Sequence, residues 1–233
     1  MTSHYDDITL NDSMLLDLPM TEGIGTILHD VASPHHLVTL VGAPTWTAQV
    51  SGLMTVNFDG ETQYAVCANA NCADLGFTSE DYTILGVLNW IVDDTSQIVI
   101  GRYELSVGGW ELYLYQTGSL SIRHHHAATL VGGPPAIPRT GAWSLGWTPG
   151  TTWVFGFTRI GSTCQFYRNG LAVATTSDAL VDPEATDRDL VIGVRYSKDN
   201  NFFKSILYRP RIIGAALTAS QHRTAYELIK EWL

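Results

Sequence analysis

The chain has 233 residues, 45% hydrophobic and 15% charged, with 21 glycines and a formal net charge of −10. That length holds one large all-β domain or two small ones, and the apolar share is enough for a core. The acidic balance excludes nucleic-acid phosphate as a main partner, because that binding needs Lys and Arg to release counterions.

Residues 1–13 are polar and read as an N-terminal arm. The first twenty residues lack a basic start, an apolar core and a small-residue cleavage site, so no signal peptide is expected. No apolar run approaches spanning length, so no membrane partner is expected either. Leu16, Leu18 and Met20 alternate and make a first strand, which Gly23 and Gly25 end. A loop marked by Asp30, Ser33 and Pro34 leads to a second strand, Leu37 to Val41. Leu53 to Phe58 and Thr62 to Val66 flank an Asp59-Gly60 turn. The cysteines are Cys67, Cys72 and Cys164. An odd number argues against a complete disulfide framework, and free thiols are preferred over a Cys67–Cys72 bridge.

Tyr82 to Val92 is a nearly continuous apolar run, expected as a strand buried on both faces. Asp93 to Ser96 then turns the chain into Gln97 to Tyr103. Trp110, Leu112 and Leu114 alternate with Glu111, Tyr113 and Tyr115, and Thr117-Gly118 turns that strand into Ser119 to His125. Residues 127–142 contain Gly132-Gly133-Pro134-Pro135 and Pro138 and read as a long exposed loop, since Pro lacks the ladder amide.

Trp153 to Thr176 carries the strongest hairpin signal. Trp153, Phe155 and Phe157 alternate with Val154, Gly156 and Thr158. Asn169-Gly170 suits a type I′ turn, which needs positive φ at both central residues. Leu190 to Val194 and Phe203 to Ile213 are closing strands, with Pro210 at an edge or bulge. Thr218 to Gln221 has capping-box spacing, and Ala225, Leu228, Ile229 and Trp232 share a helical face. The expectation is an all-β, two-sheet antiparallel jelly-roll sandwich over 14–216, with a short C-terminal α-helix over 217–233 packed on it.

Several segments, in order, resemble the laminin-G-like, concanavalin A-like lectin/glucanase jelly-roll family. They are Leu16 to Gly25 followed by Asp30, Met54 to Gly60, Tyr82 to Ile91, Phe166-Tyr167-Arg168-Asn169-Gly170, Ile192-Gly193, Ile206 to Ile213, and Leu217-Thr218 before a helix. The resemblance runs from about Leu15 to Tyr226. It departs from the family's pattern where Val31-Ala32-Ser33-Pro34 replaces the usual Ser-Gly after the first-loop Asp. It implies a non-catalytic protein that binds glycans or proteins, in some members with calcium. Such domains also occur in phage tails, fibres and capsid decorations. With no export signal in view, the expectation is a virion surface component, or an extracellular one after release, contacting glycans or virion proteins; a homo-oligomer is compatible with that role. The alternatives are a carbohydrate-binding module of a cellular protein and a concanavalin A-like glycoside hydrolase.

Seven residues stand out as contact candidates: Trp143, Trp147, His124, His126, Asp93, Asp94 and Asn200. Trp143 and Trp147 suit stacking on a sugar ring, against the rival of core packing; Trp110 and Trp153 read as core. His124 and His126 share a strand face and are two imidazoles without a third metal ligand, so a solvated strand end is the preferred reading, as it is for His35-His36. Calcium needs converging oxygens; Asp30, Asp59, Asp93, Asp94, Asp199 and Asn200 all lie in expected loops, but turn formation explains each. No cofactor or metal is therefore assigned, though calcium stays compatible. Retaining hydrolysis needs two carboxylates close together, and the Glu-x-Asp-x-x-Glu run of related glucanases is missing. Glu80-Asp81 and Asp93-Asp94 are adjacent pairs whose members alternate in direction. Glu104 and Glu111 lie on separate expected strands and are the one pair that could meet. No Gly-x-Ser-x-Gly elbow appears, and a non-enzymatic role is expected.

Overall fold

The computed structural model describes residues 8–91, 93–116, 118–127, 139–144, 149–173 and 180–233, with 8–9 and 139–144 in backbone alone. A single helical turn, α1 (Ile8–Asn11), precedes the strands β1 (Met14–Asp17), β2 (Ile27–His29), β3 (Leu37–Val41), β4 (Thr45–Ala48), β5 (Met54–Asp59) and β6 (Tyr64–Cys67). Then come β7 (Tyr82–Asn89), β8 (Gln97–Glu104), β9 (Gly108–Leu114), β10 (Ser119–His126), β11 (Arg139–Ser144) and β12 (Thr152–Ile160). The chain closes with β13 (Thr163–Arg168), β14 (Leu171–Val173), β15 (Leu190–Ile192), β16 (Lys204–Ile213) and helix α2 (Ala219–Glu227).

These strands form two antiparallel sheets. The first runs β14-β13-β12-β7-β16-β5-β4, with β1 also paired to β16; the second runs β11-β10-β9-β8-β15-β6-β3-β2. Alternate side chains from the two inner faces make one core. Phe77 stacks on Tyr82 with centroids 4.3 Å apart, Tyr82 lies 5.6 Å from Phe157 and 5.8 Å from Trp110, and Phe157 lies 5.2 Å from Phe166. Each such aromatic pair adds about 1 kcal/mol beyond its buried area.

The near-continuous apolar run of β7 has a simple cause. One face meets the second sheet; on the other, Leu85 packs with Ile213, Leu217, Ala225 and Leu10. Leu10 thus ties the end of the expected arm into the body. The β13–β14 turn has positive φ at Asn169 (49°) and Gly170 (74°), as Asn-Gly requires. Pro210 sits in a register shift between Tyr208 and Arg211, and its carbonyl accepts the Leu18 N–H at 3.2 Å.

Three expectations need correction. The C-terminal helix stops at Glu227 and is followed by a separate turn at Lys230–Trp232, which leaves Trp232 half-exposed. Part of the expected exposed loop over 127–142 is the edge strand β11, paired to β10. A further strand forms at Thr45–Ala48, between the expected strands Leu37 to Val41 and Leu53 to Phe58, where none was expected. Helix α2 opens with the expected capping box between Thr218 and Gln221. Its His222 stacks on Tyr167, centroids 3.6 Å apart, and shares a 2.7 Å hydrogen bond with the Thr158 hydroxyl. Burial pushes His222 down to about 3, so it stays neutral. The cysteines are free thiols.

Candidate functional site: a polar cleft on the second sheet

The hairpin of β9 and β10 sets the site. Gly118, at φ 81°, donates to the Tyr115 carbonyl, and the Tyr115 N–H to Ser119, which places Leu114 opposite Leu120. Counting outward, Leu112 faces Ile122 and Glu111 faces Arg123. Because strand neighbours alternate, Trp110, Leu112, Leu120 and Ile122 enter the core while Glu111, Tyr113, Arg123 and His125 occupy the outer face. The next strand, β8, brings Gly101 opposite Glu111. A Cβ on Gly101 would lie 3.0 Å from Glu111 Cα, so a side chain here would push β9 back by a few tenths of an ångström.

Glu111 is 1% exposed. Its Oε1 accepts Arg123 Nη1 at 2.9 Å and His125 Nε2 at 3.1 Å. Its Oε2 is shielded from solvent. Burial alone would raise its pKa, but the His125 hydrogen bond and the charges of Arg123 and His125 outweigh that and hold the carboxyl below its usual range. Arg123 lies 4.1 Å over the Tyr113 ring. His125 stacks on Tyr103, 4.8 Å between centroids, and Tyr103 meets Tyr196 edge-on at 5.2 Å. Burial, the neighbouring Glu111 charge and a hydrogen bond to the Glu111 carboxylate raise the Tyr103 phenol far above its usual value, so it remains a neutral donor.

Two loops complete the site. Asn201 donates Nδ2 to the Ser96 carbonyl at 2.7 Å and accepts the Ile98 N–H at 3.0 Å, tying the loop after β15 to the one before β8. The resulting cleft holds about 180 Å³, with Glu111, Tyr113 and Arg123 from the sheet and Ser96, Arg195 and Asn201 from the loops. Drug-sized pockets begin near ~300 Å³, so the space suits one sugar ring rather than a long chain.

The cleft can donate and accept hydrogen bonds around aromatic surface. Glu111 is its sole carboxylate among the described lining residues. Glu104 pairs with Gly108 three positions along from Gly101 and is held by Arg188 Nε and Nη2 instead. The idea that Glu104 and Glu111 meet is therefore corrected, and a two-carboxylate hydrolytic pair is not assembled by them.

Of the sequence candidates, Asp93, Asp94 and Asn200 lie on these loops but do not line the cleft; their neighbours Ser96 and Asn201 do. His124 and His126 are buried, which corrects the solvated strand end. His124 donates Nδ1–H to the Val181 carbonyl at 2.7 Å, and its Nε2 accepts the Tyr82 hydroxyl at 2.9 Å. Burial pushes it down to about 4, so it is a neutral core side chain with both nitrogens engaged. Of Trp143 only the backbone is described, in the edge strand β11 opposite Leu120; Trp147 lies outside the described residues. Trp110 is fully buried, and Trp153 is half-buried beneath the Arg168 guanidinium, 4.4 Å from its ring.

Sequence reasoning missed two polar knots. One is Glu111 with Arg123 and His125. The other is His36, read as solvated but 4% exposed. Its Nδ1 donates to Asp30 Oδ2 at 2.6 Å and its Nε2 to Asp74 Oδ1 at 3.0 Å. Asp30 also accepts the amides of Asp17, Ala32 and His36, pinning the first loop to β1. Among the described residues no group of three or more His, Cys, Asp and Glu is arranged to hold a metal.

The family model described as the concanavalin A-like lectin/glucanases superfamily matches residues 59–221. No curated protein matches the chain by sequence. Among solved structures, the binding domain of Paraclostridial Mosquitocidal Protein 1 is similar at 14% identity and a TM-score of 0.68, over 93% of this chain and 52% of that one. A structure from botulinum neurotoxin type C, whose cell entry depends on two ganglioside molecules, is similar at 12% identity and TM-score 0.66, over 94% and 52%. Domain 4 of AbnA, an extracellular arabinanase from Geobacillus stearothermophilus solved with arabinotriose, is similar at 14% identity and TM-score 0.65, over 91% and 97%. The chain spans about half the length of the two toxin structures. At these identities the likeness is one of fold.

Proposed function

Because the chain belongs to the concanavalin A-like lectin/glucanases superfamily, we propose that it is a non-catalytic glycan-recognition domain whose sugar site is the cleft over β8, β9 and β10. The observation that carries this reading is the cleft itself, where the Glu111 carboxylate, the Arg123 and Arg195 guanidinium groups and Asn201 share one lining. Guanidinium and amide donors beside a carboxylate acceptor match the donor and acceptor hydroxyls of a sugar ring. The sugars bound by two fold neighbours, arabinotriose and gangliosides, are consistent with sugar recognition on this architecture.

Trp143 and Trp147 remain proposed stacking residues on the same reading. Display on a virion surface remains a proposal supported by the sequence alone, and sedimentation of the native protein with particles tests it. The test of the site is a glycan array with the native chain, Ser96→Trp, Trp143→Ala and Trp147→Ala. Filling the cleft with Ser96→Trp should abolish binding. Binding that survives Ser96→Trp but fails in the tryptophan variants would move the site to the edge strand and its loop.

A further inference from the structure

The cleft is not electrically neutral. Its described charged lining is one carboxylate, Glu111, against two guanidinium groups, Arg123 and Arg195. Arg123 is committed: it donates to Glu111 and covers Tyr113. Arg195 is not. On the same stretch of chain Arg188 is paired with Glu104 and Lys198 with Asp189, yet no carboxylate lies within ion-pair distance of Arg195 among the described residues. Its polar side-chain contact is a long one, 3.5 Å, to the neutral Asn200 Oδ1, and its guanidinium rests 5.1 Å from the Tyr196 ring centre. In a chain of net charge −10, a cation left over at the mouth of a cleft is a candidate binding charge rather than a solubility feature.

From this arrangement we infer that the cleft selects a carboxylate-bearing sugar, with the sugar carboxylate on Arg195. A guanidinium takes a carboxylate through paired N–H donors. A neutral sugar leaves Arg195 without that partner. The inference rests on the cleft being the sugar site.

The experiment compares matched probes by calorimetry: trigalacturonate against galactotriose, and sialyllactose against lactose, on the native chain, Arg195→Gln and Ser96→Trp. Arg195 is half-exposed and touches no core residue through a charge pair, so Arg195→Gln should melt as the native chain does, which the same samples check. At least one acidic probe should bind about tenfold tighter than its neutral counterpart, and Arg195→Gln should erase that difference. Equal affinities, or an acidic preference that persists in Arg195→Gln, overturn the inference; if Ser96→Trp then still abolishes binding, the cleft reading stands without it. Absence of binding by all four probes overturns both.

Discussion

His36 is gripped by two carboxylates at once, which fixes its charge and makes it a pH-dependent fastener. Burial alone would lower its pKa; the hydrogen bonds from its ring to Asp30 and Asp74, and their charges, outweigh burial and raise it from 6.5 to about 9. A raised folded value means the contribution is full below about pH 6.5 and fades as pH rises through about 9. Asp30 is shifted the other way: burial would raise it, but His36 and three backbone amides hold it below 3.8, so its contribution is lost only as pH falls below that value. The contact is worth on the order of 3 kcal/mol near neutrality. His36→Gln should therefore melt roughly 10 °C below the native chain at about pH 6, and the gap should narrow at about pH 9.5. A gap that does not change with pH would contradict the charged ring. This knot was hidden in the sequence because Asp74 lies 38 positions from His36, a contact made by tertiary folding alone. Glu111 opposite Arg123 was legible: once Thr117-Gly118 is taken as the turn, counting outward pairs them. What counting could not show is that the loops would bury the pair.

At the scale of elements, turns and caps decide where strands and helices stop. Gly161, between β12 and β13, has φ 54° and nothing within 4 Å of an added Cβ. Gly170, between β13 and β14, has φ 74°, and an added Cβ would lie 2.9 Å from Arg223 Cα and 3.1 Å from the His222 carbonyl on α2. Gly161→Ala should cost about 1 kcal/mol through backbone strain alone. Gly170→Ala should cost more, about 3 kcal/mol, because α2 must also shift. Urea titration of both variants measures the difference; equal losses would mean that α2 does not press on the turn. Thr218→Ala removes the side-chain acceptor for the Gln221 amide and should cost about 1 kcal/mol in the same assay. Both hairpins and the capping box were readable because each rests on residues adjacent in the chain. The edge strands β4 and β11 were not. With one partner and little burial, Thr45–Ala48 shows no clear alternation, and β11 follows a proline-rich run.

Across the whole molecule, the two sheets share one core, and α1 and α2 cover the outer face of the first. We therefore predict that far-ultraviolet and near-ultraviolet signals fall in a single coincident transition on denaturation. Two separated transitions would mean that 14–216 and 217–233 fold apart. The sandwich was legible because the order of weak motifs is specific even where each motif is common. The cleft was not, because an outer sheet face becomes a site only when distant loops, here around Ser96 and Asn201, close over it. The central claim is that this cleft binds sugar. Its most direct test is titration of the 15N-labelled chain with trigalacturonate, sialyllactose and arabinotriose in turn, read residue by residue by NMR. The account predicts that at least one of them moves the amides of Tyr103, Glu111, Arg123, Arg195 and Asn201 as a group, and that Ser96→Trp removes the response. Spectra unmoved by all three sugars, or shifts confined to the face beneath α2, would contradict it.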